Sequence, residues 1–162
     1  MREAWTDDDR KWMGLAYQLS VEAFERGDWP TGAVLVKDGL PLATGQNRQV
    51  TQGDFTVHAE VDAIREAVAS RGVEACRDAT LYCTMEPCPM CAGALKLAGV
   101  RRIVLALRHA TLRRTDLGAY CLERFFEMID WQPQLESGLL EAEYLELRRR
   151  WGRDPVAAPS GI

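Results

Sequence analysis

Only two histidines, His58 and His109, occur among 162 residues, and the sequence has neither a long apolar run nor an excess of positive charge. Each shortage excludes something. Without about 20 consecutive apolar residues there is no membrane-spanning helix to read, and the polar, acidic first residues do not resemble a secretory signal. The expectation is a cytoplasmic protein with no membrane contact. Five cysteines, an odd number, do not make a disulfide framework in that compartment and read as metal ligands plus buried thiols. A net charge of −4 is a poor start for gripping a phosphate backbone, which tilts the partner towards a small molecule and away from nucleic acid. Arg101-Arg102, Arg113-Arg114 and Arg148-Arg149-Arg150 are local exceptions that read as solvated ends of helices and strands.

What is present is the composition of an ordinary globular domain, 47% hydrophobic and 27% charged. Residues 1–151 read as one domain, and 152–162 as a Pro-, Gly- and Ala-containing tail that is either a lid or disordered. Thr6-Asp7-Asp8-Asp9 marks a helix start, after which Trp12, Leu15, Ala16, Leu19 and Ala23 recur at helical spacing to about Arg26. Trp5, Trp12 and Tyr17 belong to its core side. Gly32–Lys37 and Leu40–Gly45 read as an antiparallel pair around the Asp38-Gly39 turn, followed by a polar loop over 46–54. A helix is predicted over 57–71 with Val61, Ile64 and Val68 facing inward and Ala67 beside them, then a strand over 79–84 and a helix from about Cys88 to Ala98. A strand over 101–107, a polar loop over 109–117, a helix over 119–129, a short strand at Leu135-Glu136 and a helix over 139–151 complete the chain. The linker before the last strand is too long for a hairpin, so the last two strands should run parallel.

Two pieces carry the chemistry. His58-Ala59-Glu60 lies at the predicted start of one helix, and Pro87-Cys88-Pro89-Met90-Cys91 at the start of another. Cys88 and Cys91, separated by two residues, can place two thiolates on one Zn²⁺, and His58 can supply a neutral imidazole. Three protein ligands leave one tetrahedral position open, where water becomes acidic enough to act as a nucleophile near neutral pH. Glu60 is then the proton carrier, the catalytic residue of the set. His109 as a fourth ligand would close the site and make it structural; a loop histidine is more simply solvated or hydrogen-bonded. Cys76, Cys83 and Cys121 read as small buried hydrophobes.

These motifs resemble the zinc-dependent cytidine and nucleobase deaminases, which carry His-x-Glu followed by Pro-Cys-x-x-Cys. Trp29-Pro30-Thr31-Gly32-Ala33 is similar to that family's Pro-x-Gly-Ala segment, and the likeness covers roughly residues 6–110. Asn47, eleven residues before His58, fits the base-reading asparagine of the branch containing guanine deaminases, fungal-type cytosine deaminases and tRNA adenosine deaminases. The resemblance implies an α/β fold, a three-layer α-β-α sandwich around a five-stranded mixed sheet, with one zinc ion per chain and a homodimer. It implies hydrolytic removal of an exocyclic amine, with Asn47, the Ala59 N–H and the Glu86 carbonyl reading the ring edge.

Asp116 and Tyr120, in and after the loop facing the site, are further candidate substrate contacts without a family counterpart. Trp151-Gly152-Arg153-Asp154 is similar to the Trp-x-x-Asp segment that fungal-type cytosine deaminases fold over the base, which makes Trp151 and Asp154 candidates as well. A guanine- or cytosine-like nucleobase or nucleoside is the expected substrate. A wobble adenosine in tRNA is the alternative, set back by the absence of Lys-x-Gly-Ala from residues 109–118. A non-catalytic, zinc-stabilised binding module is the third reading, and Glu60 argues against it.

Overall fold

The computed structural model describes residues 5–157. Helix α1 (Asp7–Arg26) starts where the N-cap signal lies: Thr6 Oγ1 accepts from the Asp9 backbone N–H at 3.0 Å, and the Asp9 carboxylate accepts from the Thr6 N–H at 3.1 Å. Its buried stripe contains Trp12, Met13, Ala16, Leu19 and Ala23, with Trp5 and Tyr17 packed at the margin. Strands β1 (Gly32–Lys37) and β2 (Leu40–Gln46) form an antiparallel hairpin whose two turn residues, Asp38 and Gly39, both have positive φ. The chain continues through α2 (Gln49–Gln52), α3 (Ala59–Arg71), β3 (Thr80–Met85), α4 (Pro89–Ala98), β4 (Arg102–Leu107), α5 (His109–Leu112), α6 (Leu122–Met128), β5 (Gln134–Ser137) and α7 (Glu141–Trp151). Among the described residues no helix is long and apolar enough to cross a membrane.

The five strands lie in the order β2-β1-β3-β4-β5. β1 pairs antiparallel with β2 and β3, whereas β3–β4 and β4–β5 are parallel. Alternate residues of each strand feed two separate cores. Ala33, Leu35, Leu81, Cys83, Ile103 and Leu105 face α3, α4 and α6; Val34, Val36, Tyr82 and Val104 face α1 and α7. The result is the three-layer sandwich. The ends of the parallel strands β3 and β4 share one edge with the start of β1 and the end of β2, and α3 and α4 begin there.

Helix α3 departs from its predicted inward face. Ala59, Glu60, Ala63 and Ala67 are buried, while Val61, Ile64 and Val68 are only half-buried. The cause is the approach of β2. A Cβ on Gly45 would lie 2.0 Å from the Ala59 carbonyl oxygen, 2.5 Å from the Ala63 nitrogen and 3.0 Å from the Ala63 Cβ. Only the smallest side chains fit between backbones this close, so alanines at positions 59, 63 and 67 take the inner face that the larger residues were expected to fill. The segments predicted as loops over 46–54 and 109–117 each contain a four-residue helix, α2 and α5.

Candidate active site

His58 and Cys88 are the N-cap residues of α3 and α4, both with extended backbone (ψ 157° and 172°), one residue earlier than a place in the first turn. Pro89 at the first helical position of α4 presets its φ, and Cys91 follows one turn along, fully buried. Two helix starts at one sheet edge therefore deliver three ligand atoms to one point. His58 Nδ1 lies 3.6 Å from Cys88 Sγ and 3.4 Å from Cys91 Sγ, and all three donor atoms lie within 4.8 Å of one another. Zinc bonds of about 2.3 Å to sulfur and about 2.0 Å to nitrogen, at a tetrahedral angle, hold N and S about 3.5 Å apart. These separations are the ligand-to-ligand edges of a zinc site rather than hydrogen bonds. The residues fit one zinc ion with three protein ligands, and His109 is outside the set.

The thiols support that reading. Hydrogen bonding from Cys91, together with His58, holds the Cys88 thiol down at about 4 against the opposing effect of burial. The same hydrogen bond, reinforced by burial, pushes Cys91 well above the usual thiol range. Two thiols sharing one proton in a buried place are suited to losing it to a cation. Glu60, 3% exposed, sits beside them, and burial is the largest influence raising its carboxyl above the ordinary range. A buried carboxyl beside the ligand atoms is placed to exchange a proton with a molecule held there.

The triad opens into a cavity of about 340 Å³. Of the residues predicted from sequence, Asn47, His58, Ala59, Glu60, Glu86, Cys88 and Asp116 line it, with Cys91 behind the wall. Tyr120, Trp151 and Asp154 do not line it. The Tyr120 hydroxyl instead donates to the Pro87 carbonyl at 2.8 Å, bracing the approach to Cys88. Trp151 packs on Trp29 with ring centroids 4.7 Å apart, and the Asp154 carboxylate is engaged by the buried Arg148 guanidinium, with Arg148 Nε at 3.0 Å. The tail therefore buttresses the outer wall rather than folding over the centre: Thr115 N–H donates to the Pro155 carbonyl at 2.8 Å, and Arg114 and Val156 form an antiparallel bridge.

Trp29, Gln49, His109, Arg114 and Arg148 also line the cavity, although the sequence did not mark them as substrate contacts. Trp29 stands beside the Pro-x-Gly-Ala segment and could have been found there; nothing local marks Arg148, which arrives from the far end of the chain. His109 is largely buried, its Nδ1 3.8 Å from Glu86 Oε1, and burial lowers its pKa. The cations around the cavity are paired. Arg114 binds Asp116 through two bonds of 2.9 and 2.6 Å, and Arg108 binds Glu86 at 2.8 Å and Glu123 at 2.8 Å. Arg101 and Arg102 lie at the start of β4, the opposite end of the sheet, where Arg102 is tied to Asp9 and Glu136. Two of the three arginine groups therefore meet at the cavity, where Arg114 and Arg148 both stand over the Trp29 ring, and the third does not join them.

A family model of the cytidine and deoxycytidylate deaminase zinc-binding region matches residues 6–107. The chain belongs to this family. Membership makes it a zinc-dependent deaminase with His58, Cys88 and Cys91 placed to bind one metal ion. Among its relatives, the tRNA-specific adenosine deaminase of Agrobacterium fabrum is 38% identical over 144 residues, 88% of this chain and 92% of that one. The guanine deaminase of Bacillus subtilis is 48% identical over 95 residues, 58% of this chain and 61% of the relative. A solved guanine deaminase from Nitrosomonas europaea superposes with a TM-score of 0.76 at 25% identity, covering 93% of this chain and 86% of that structure.

Proposed function

We propose that this deaminase hydrolytically removes the exocyclic amine of a small nucleobase or nucleoside, of guanine or cytosine type, and releases ammonia. The observation that carries the proposal is the buried Glu60 carboxyl beside a three-ligand metal site in the wall of one cavity. Bound zinc supplies Lewis acidity and activates water at neutral pH. Glu60 takes the water proton, gives it to the ring nitrogen beside the reacting carbon, and assists protonation of the departing amine. Asn47, the Ala59 N–H and the Glu86 carbonyl hold the ring edge. Both guanidinium groups that line the cavity, Arg114 and Arg148, are paired with carboxylates, which favours a free base or nucleoside over a polyanion.

One observation favours a second reading, deamination of a wobble adenosine in tRNA: the likeness to the Agrobacterium tRNA deaminase runs over most of both chains, whereas the Bacillus guanine deaminase matches a shorter stretch more closely. Ammonia release by zinc-loaded protein from guanine, cytosine, adenine, their nucleosides and an anticodon stem-loop RNA separates the two. Glu60→Ala should retain zinc and lose turnover by about 10²–10⁴-fold on whichever substrate responds. Turnover surviving that substitution sinks the proposal. A cytoplasmic homodimer completes the reading, and sedimentation of the zinc-loaded protein tests the dimer.

A further inference from the structure

We infer that Arg26 and Asp28, which do not line the cavity, are positioning residues that act on the substrate through Asn47; the inference rests on Asn47 contacting the substrate ring. Asp28 follows the C-cap Gly27 of α1, and its side chain is fully buried. Its Oδ1 accepts the backbone N–H of both Val50 and Thr51 at 2.9 Å, and its Oδ2 accepts Thr51 Oγ1 at 2.8 Å and Arg26 Nε at 2.7 Å. The carboxylate thus serves α2 as the cap that Arg48, its own N-cap residue, does not provide. A buried anion with four donors is held below the ordinary carboxylate range, because the hydrogen bonds from Thr51, Arg26 and Val50 outweigh its burial.

Arg26 spends its remaining donors on the residues that lead into the cavity. One terminal nitrogen donates to Gln46 Oε1 at 2.6 Å and the other to the Asn47 carbonyl at 2.9 Å. Gln46 is held a second time by α1, its Nε2 donating to Glu22 at 2.7 Å, and by α3, its N–H donating to Asp62 at 3.0 Å. Asn47 itself is left with little freedom. Its N–H donates to the Thr31 carbonyl at 3.1 Å, its Oδ1 accepts the Gln49 N–H at 3.0 Å, and its Nδ2 donates to Gln49 Oε1 at 2.9 Å. An amide has four hydrogen-bonding places, so one acceptor and one donor remain for a ring edge. Both neighbours of that amide, the Asn47 backbone and the α2 turn carrying Gln49, are fixed by the Arg26–Asp28 unit. A planar guanidinium with three separate acceptors is what makes the unit rigid, and lysine offers only one rotatable point in its place.

The test pairs an order measurement with a double-mutant cycle. Amide hydrogen exchange across residues 47–52 is compared for the wild type, Arg26→Ala, Arg26→Lys and Asp28→Asn, which needs no substrate. Steady-state ammonia release on the substrate panel is measured for Arg26→Ala, Asn47→Ala and the double variant. The expected result is faster exchange over 47–52 and a KM raised about tenfold, with kcat changed less than about threefold, the pattern of lost binding common to ground and transition states. Arg26→Lys should fall between wild type and Arg26→Ala. In the Asn47→Ala background, Arg26→Ala should cost nothing further. Unchanged exchange, an unchanged KM, or an equal loss with and without Asn47 overturns the inference. Release retained by Glu60→Ala would refute the catalytic reading itself, and this inference with it.

Discussion

Replacing Gly45 with alanine would test how closely the metal centre depends on the sheet beneath it. The added Cβ would lie 2.0 Å from the Ala59 carbonyl oxygen and 2.5 Å from the Ala63 nitrogen, both backbone atoms of α3. Contacts under 3.0 Å do not persist, so strand and helix must separate by about 1 Å. His58 is the N-cap of that helix and moves with it, away from Cys88 and Cys91, which belong to α4. Overpacking of this kind costs about 1–3 kcal/mol of stability, and a displacement of about 1 Å at a reacting centre costs about 100-fold in rate. Urea denaturation, zinc content after dialysis and ammonia release would be measured together. Gly14→Ala is the control, since nothing lies within 4 Å of its would-be Cβ in mid-α1, and it should gain about 0.5–1 kcal/mol. Gly45→Ala protein with wild-type stability, full zinc and full turnover would refute the packing argument.

Three further outcomes follow from other parts of the molecule. Although burial alone would raise the Asp9 carboxyl, hydrogen bonds from Arg102, Tyr82 and Thr6 lower it strongly on balance, so Asp9→Asn should cost about 1–3 kcal/mol at neutral pH. Because the folded-state value is depressed, that contribution is complete above the unfolded value of about 3.9 and fades as pH falls below it; a difference from wild type that stays constant down to pH 2 would contradict the assignment. Chelation should abolish ammonia release while far-UV circular dichroism stays at its native value, because both cores pack on the sheet independently of the ligand triad; loss of helix signal together with the metal would make the site structural. Asp154→Ala leaves the Arg148 guanidinium, 1% exposed, without its carboxylate and should cost about 3 kcal/mol in chemical denaturation, a loss below about 1 kcal/mol counting against the buried pair.

The order of the strands and of the longer helices was legible because each is announced locally, whereas the four-residue helices α2 and α5 were not. Thr6 with Asp9 caps α1, Asp38-Gly39 turns the first hairpin, and the long linker before β5 compels a parallel pairing. The zinc ligands were legible for a similar reason: two thiols separated by two residues and one histidine ahead of them leave few other arrangements. The inner face of α3 was not, since hydrophobicity marks Val61 and Val68, and only the proximity of Gly45 on another element favours alanine. Arg148 and Asp154 were equally opaque. They are six residues apart in a helix end and tail, and their role depends on Thr31 and the loop carrying Arg114, which are distant along the chain. Trp151 and Asp154 suggested a lid because short motifs specify composition, whereas the position of a tail is decided by which buried charge it neutralises.

The bridge between Arg114 and Val156 also has a consequence for how the protein is made. All three metal ligands, Glu60 and the central strands that orient them have been synthesised once the chain reaches Leu107, so the centre can assemble while the remainder is still on the ribosome. The outer wall cannot. Its loop is pinned by Pro155 and Val156, so the cavity acquires its full depth only after these later residues have been made. Metal capture can therefore precede completion of the cavity.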